Sequence, residues 1–135
     1  RKFGKPVLKN VILVEGLPGI GNIGKIAIDY LIDTLKAKKI YEFKSWHLPN
    51  CVFVEEDNIC ELPKFEVYHH KHKSNDFLFL SGDVQPTDEL GCYKICSEII
   101  NTLHKHGIKE IITTGGVGLE SLPKKPKVYC SVTKR

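Results

Sequence analysis

Four stretches hold the residues that can do chemistry. The densest is Glu15-Gly16-Leu17-Pro18-Gly19-Ile20-Gly21-Asn22-Ile23-Gly24-Lys25. Gly19, Gly21 and Gly24 match G-x-G-x-x-G, whose glycines permit unusual backbone angles and let a ligand or a packing helix come close. Gly19 through Lys25 also fits most of the phosphate loop G-x-x-x-x-G-K, but Ile26 stands where the magnesium-binding Ser or Thr belongs. A dinucleotide site asks for an acidic residue about 20 residues further on. Glu42 is near that distance, inside an alternating run where it faces solvent. Pro18 stiffens the turn and removes one N–H that a phosphate would use.

The second stretch, Ser81-Gly82-Asp83-Val84-Gln85-Pro86, offers one carboxylate and one amide; the third is Gly115-Gly116-Val117-Gly118. If the preceding strands run parallel, loops 15–24, 81–88 and 114–122 share the carboxyl end of one sheet, where open α/β sheets bind ligands. Glu15, Asp83 and Glu120 would then meet as general acid or base, or as magnesium ligands. The plainer alternative is that Asp83 and Gln85 bind nearby backbone and hold the turn. A ligand in this crevice would touch Gly16, Gly19, Gly21, Gly24, Asp83, Gln85, Gly115 and Gly116. No cofactor, metal or catalytic residue is expected. The fourth stretch is His69, His70 and His72, with Cys51 and Cys60 upstream. It lacks a tight C-x-x-C pair, and the interleaved Lys71 and Lys73 fit a solvated edge strand better than zinc.

The elements that must position these groups follow from apolar periodicity. Val11-Ile12-Leu13-Val14 reads as a buried strand, and Ile23 to Leu35 as an amphipathic helix. Ile23, Ile26, Ala27, Tyr30, Leu31 and Thr34 form one apolar stripe of that helix and Ile28, Ile32 and Leu35 a second, leaving Lys25, Asp29, Asp33 and Lys36 as a narrow polar strip. Such a helix needs cover on two sides: the sheet on one, and a neighbouring helix of the same chain or another subunit on the other. Ile40 to Trp46 alternates as a strand. Val52–Val54 and Ile59–Leu62 flank Glu55-Glu56-Asp57-Asn58 as a hairpin, and Phe65 to His70 adds a strand to the same antiparallel group. Asp76 to Ser81 has the density of a central parallel strand.

Thr87 is placed to cap the next helix, with Cys92, Tyr93, Cys96, Ile99, Ile100 and Leu103 as its buried stripe and Gly107 as its left-handed end. The apolar company makes Cys92 and Cys96 core residues. Ile108 to Thr114 is a further strand, Lys124-Lys125-Pro126-Lys127 an exposed loop, and Val128 to Thr133 a last short strand. The fold is therefore α/β with a mixed sheet.

A chain of 135 residues with 41% apolar and 27% charged residues is one ordinary globular domain. No apolar run approaches the roughly 18 residues of a membrane span. Five cysteines without an export signal read as reduced thiols, which places the protein in the cytoplasm. A net charge of +4 is mild, and neither nucleic acid nor membrane is an expected partner. The start at Arg1 and the absence of Met point to a trimmed chain.

Residues 14–24, Leu80-Ser81-Gly82-Asp83-Val84-Gln85-Pro86, Ile111-Ile112-Thr113-Thr114-Gly115-Gly116 and Val128-Tyr129-Cys130-Ser131-Val132-Thr133 occur in the order seen in the proteasome assembly chaperone 2 family, archaeal branch, which this sequence resembles from about Val11 onward. The resemblance implies a three-layer α/β/α sandwich with a mixed, mostly parallel sheet, related to nucleoside phosphorylases. Some members carry an ATP-dependent ligase label. It implies protein binding: an assembly factor that self-associates and binds 20S proteasome α subunits or a paralogous chaperone. Some relatives dock through a C-terminal hydrophobic–Tyr–any-residue tail. Thr133-Lys134-Arg135 does not match that pattern, and Val128-Tyr129-Cys130 has the letters inside a strand. Members usually continue with further strands and helices, so the chain resembles an N-terminal portion of the fold.

Overall fold

The computed structural model describes residues 1–4, 6–54, 58–121 and 123–133. The chain runs β1 (Val11–Gly16), a single 3₁₀ turn (Ile20–Asn22), α1 (Ile23–Thr34), β2 (Lys38–Phe43), β3 (Phe53–Val54), β4 (Cys60–Glu61), β5 (Phe65–His72), β6 (Asn75–Gly82), α2 (Glu89–His104) and β7 (Ile108–Thr114). Five strands form the main sheet in the order β2-β5-β6-β1-β7. β1 is parallel to both its neighbours, while β5 is antiparallel to β2 and β6. β5 alone therefore runs against the other four strands.

Strand alternation divides the core in two. On one face Val14 and Phe79 pack with Ile28 and Ile32 of α1. On the other, Leu13, Val67, Leu78 and Leu80 pack with Ile95, Ile99 and Leu103 of α2. β6 reads as a continuous apolar run because both of its faces are covered. These are the three layers expected, around a mixed sheet. In β2 the pairing with β5 shifts between Lys39 and Tyr41, a bulge that turns the consecutive residues Ile40 and Tyr41 into the same core cluster.

Several expectations are corrected. β5 does not extend the β3–β4 hairpin, which stands apart as a two-stranded sheet; it joins the main sheet, where a long strand finds two full ladders. Nor is β5 an edge strand: only 70–72 project beyond the last pairing with β2, Lys38 to His69. The turn residues Glu55, Glu56 and Asp57 lie outside the described residues, as do Lys134 and Arg135. Asp88 rather than Thr87 caps α2, its carboxylate accepting from Gly91 N–H at 2.7 Å, while the Thr87 hydroxyl donates to His47 O at 3.4 Å. The buried stripe of α2 is Gly91, Ile95, Ile99 and Leu103. Gly91 lets that side of the helix sit close against His47, and Cys92, Tyr93 and Cys96 are exposed, so the two cysteines are not core. Val128–Thr133 forms no strand, because no neighbouring edge pairs with it among the described residues.

Candidate functional site

The parallel order β6-β1-β7 brings the three loops onto one rim, as expected. Gly21 (φ 64°) and Asn22 (φ 52°) take left-handed conformations that turn the chain from β1 into α1. A Cβ on Gly16 would lie 2.2 Å from Gly24 O, and one on Gly24 would lie 2.5 Å from Thr114 O. β1, α1 and β7 thus meet backbone to backbone, and the glycines are what allow it. A Cβ on Gly116 would likewise meet Ile20 O. The Thr114 hydroxyl donates to Glu15 O at 2.9 Å, and the Gln85 amide donates to Pro18 O. Asp83 accepts from Lys64 N–H at 3.1 Å through its carboxylate and donates its own N–H to Lys64 O at 3.1 Å. Both polar residues of the second loop bind backbone. Of the rim glycines, Gly115 borders open space, while a Cβ on Gly19 would rest in ordinary contact with the Gln85 amide at 3.9 Å.

The three carboxylates do not converge. Asp83 lies on the α1 face, where it borders a polar cleft. Glu15 is on the α2 face, in step with Val11 and Leu13; burial raises its carboxyl above the ordinary value, partly offset by the Leu17 N–H. Partial desolvation, Cys92 and the Glu15 charge together push up the Cys96 thiol, although much of that residue's surface is exposed. Glu120 is exposed. His69 lies on that face too, donating to buried Asp76 at 2.7 Å.

The cleft was not foreseen. It encloses about 240 Å³ and is lined by Lys25, Asp29, Lys64, Glu66, Tyr68 and Ser81, among others. Lys25 pairs with Asp29 at 2.9 Å, the buried Ser81 hydroxyl donates to Asp29 at 2.7 Å, and Lys25 Nζ donates to Ser81 Oγ at 3.3 Å. Glu66 accepts from Lys39 and from the Tyr68 hydroxyl, each at 2.7 Å. Burial alone would raise the Glu66 carboxyl, but those two bonds and the nearby lysine charges hold it low. Burial, the bond to Glu66 and the charges of Glu66, Asp29 and Asp83 push the Tyr68 phenol above its ordinary range. Lys25 is thereby drawn into the sheet and away from the glycine turn, where a phosphate loop would need it. The volume also falls below the ~300–1,000 Å³ of small-molecule sites, too little for a nucleotide. The legible signals were the i, i+4 spacing of Lys25, Asp29 and Asp33 and one hydroxyl closing the apolar run of β6.

The remaining feature of the rim is apolar. Ile20, Ile23, Ile26 and Tyr30 each leave more than half their surface exposed, and no element of the described residues covers them. Of the two covers weighed for this stripe, a neighbouring helix of the same chain is not found among the described residues. Gly116 and Gly118 pack on Ile20 and Ile23, which places the exposed Val117 and Leu119 beside the stripe. Contiguous exposed apolar surface is the kind found at protein or membrane contacts and at ligand grooves.

The family model described as "PAC2 family" matches residues 13–135. The chain belongs to the PAC2 family. It is 30% identical over 128 residues to the uncharacterized protein MJ1210 of Methanocaldococcus jannaschii, covering 95% of this chain and 49% of that protein. The crystal structure of Pyrococcus furiosus PbaB, an archaeal proteasome activator, matches with a TM-score of 0.88 and 34% identity, over 93% of this chain and 53% of that one. That of P. furiosus PbaA, an archaeal homolog of proteasome-assembly chaperone, matches at 0.68 and 27%, over 89% and 50%. This PAC2 chain thus spans about half the length of the relatives it matches. Among its described residues no helix is long and apolar enough to cross a membrane.

Proposed function

We propose that this PAC2 chain belongs to a cytoplasmic, non-enzymatic assembly factor that self-associates and binds proteasome α subunits or a paralogous chaperone. The observation that carries this reading is the uncovered apolar stripe Ile20, Ile23, Ile26 and Tyr30 with Val117 and Leu119 beside it. Beside the stripe Lys25 is paired with Asp29 at 2.9 Å. The PbaB and PbaA likenesses support a proteasome-related partner. Co-sedimentation with purified archaeal proteasome α subunits tests it. Retention is expected for the parent chain, and Ile26→Glu with Tyr30→Glu, both at exposed positions, should reduce it by about tenfold or more by removing apolar contact. Failure of the parent chain to be retained, together with a strict monomer at micromolar concentration, would overturn the reading.

A second reading rests on the open space over Gly115, beside the loose contact of Gly19 with Gln85: an enzyme or sensor taking a nucleotide or phosphorylated ligand at the Gly19–Gly24 loop with Asp83 and Gln85. A thermal-shift panel of ATP, NAD and nucleosides with magnesium separates the two. Ligand at 100 times its dissociation constant adds about 2.7 kcal/mol, so unmoved melting curves would remove this alternative.

A further inference from the structure

The first residues of the chain lie as a strap along the outer edge of β2. Phe3 N–H donates to Ile40 O at 2.9 Å, Glu42 N–H donates to Arg1 O at 2.9 Å, and Lys2 bridges Tyr41 between them. Two main-chain bonds are a weak hold for a segment that gives up its chain entropy on docking. Side chains fasten it as well. The Phe3 ring takes the Arg1 guanidinium at 5.0 Å from its centroid and the Lys39 ammonium at 5.3 Å. Lys2 Nζ lies 5.7 Å from the centroid of Tyr41, whose ring is buried in the core cluster on the α2 side of the sheet.

The Tyr41 ring also receives a second cation and a histidine. Lys105, just past the end of α2, places its ammonium 5.5 Å from the same centroid, and His106 Nε2 stands 2.8 Å from Tyr41 Oη. His69 of β5 adds its charge to the field at His106, although its own ring is committed to Asp76 at 2.7 Å. Among the described residues no carboxylate pairs with Lys2, Lys105 or His106. A neutral imidazole suits this corner: partial burial and the charges of Lys105, Lys2 and His69 hold His106 below its ordinary value. An imidazolium there would be a third cation at a ring that already carries two. Lys105 and His106 are anchored to the helix, His106 N–H bonding Leu103 O at 2.9 Å, so the repulsion falls on the weakly held Lys2.

We infer that residues 1–4 are a pH-dependent strap, clasped on β2 while His106 is neutral and released when His106 takes up a proton, which bares the outer main-chain groups of Ile40 and Glu42. Release removes the Lys2 charge, so the freed state binds that proton more tightly than the clasped one. The clasp is therefore at full strength above the freed-state value, which lies nearer the ordinary histidine value of about 6.5. It weakens as pH falls from there toward the lower clasped value. Amide hydrogen exchange on the full chain from about pH 8 to about pH 5, corrected for the intrinsic effect of pH on exchange, tests it. Protection of the Phe3 and Glu42 amides should fall by at least about threefold, with about tenfold per pH unit as the ceiling for one proton, while β1 and β6 stay protected. His106→Gln keeps a hydrogen-bonding partner for Tyr41 but cannot titrate, and should make strap protection independent of pH. Lys2→Gln should move the His106 titration, followed by NMR, up toward the ordinary histidine value. A parent chain whose Phe3 and Glu42 protection is level across the range overturns the inference, as does a His106→Gln variant that still loses it. Loss of β6 protection in step with the strap overturns it too, because the event then belongs to the whole fold. A His106 titration that Lys2→Gln leaves in place does the same, since the strap then carries no charge that His106 feels.

Discussion

Replacing Gly24 by Ala asks whether the glycine turn is a seat for α1. Gly24 is helical, so propensity alone favours Ala by about 1 kcal/mol and predicts a more stable protein. The packing predicts the opposite. The added Cβ would stand 2.5 Å from Thr114 O and 3.1 Å from Thr114 C, both backbone atoms of a strand held in the sheet. No side chain can swing away, so α1 must shift as a body over β1 and β7. Overpacking of this kind costs roughly 1–3 kcal/mol, and the rigidity of both partners puts Gly24 toward the upper end. Set against the propensity gain, the net loss is about 1–2 kcal/mol, or about 3–10 °C in melting temperature for a domain of this size. Gly115→Ala is the matched control, because nothing lies within 4 Å of its new Cβ; it should be neutral or slightly stabilising. Urea denaturation at constant slope, read beside thermal melting, makes the comparison. Gly24→Ala as stable as the parent would refute the seating of α1 against β7.

Two further outcomes follow from the buried polar groups. Burial alone would raise Asp76, but its bonds to His69 and to Lys9 N–H at 2.7 Å hold it below the ordinary carboxylate value. Its contribution is therefore complete above the unfolded value of about 3.9 and lost as pH falls from there toward the lower folded value; Asp76→Asn should cost about 2 kcal/mol at neutral pH and flatten the acid limb of a urea-denaturation series. Ser81→Ala removes a donor to Asp29 and an acceptor for Lys25 in a residue only 6% exposed. Because the Lys25–Asp29 pair survives it, the expected loss is about 1–2 kcal/mol, measured by urea denaturation, with α subunit binding unchanged.

Much of this fold is legible where burial is two-sided or where a cap is local. Phe77, Leu78, Phe79 and Leu80 declare β6 a central strand because helices cover both faces, and Gly107 (φ 68°) ends α2 in the left-handed conformation its position implies. The rotation of α2 was hidden, since Tyr93 and the two cysteines also count as apolar, and the close fit of Gly91 against His47, far away in sequence, is a contact that helical spacing does not announce. The polar cleft was hidden for a similar reason. Spacing puts Lys25 and Asp29 on one strip, but whether that strip meets water or Ser81 depends on the angle at which α1 crosses the sheet. Val128–Thr133 shows the limit of strand propensity, which selects an extended conformation and says nothing of where its partner lies. The rim crevice stands between these cases: topology put the three loops together, yet Asp83 and Gln85 turned to backbone and Glu15 to the opposite face.

The most direct test is a hydrogen-exchange comparison of one preparation in two mixtures, with proteasome α subunits and with nucleotide plus magnesium. A protein-binding stripe on α1 predicts slowed exchange over residues 20–30 and 116–119 in the first mixture and no change at Gly21 to Lys25 in the second. Protection of those glycine-turn amides by nucleotide, with none conferred by protein, would contradict it.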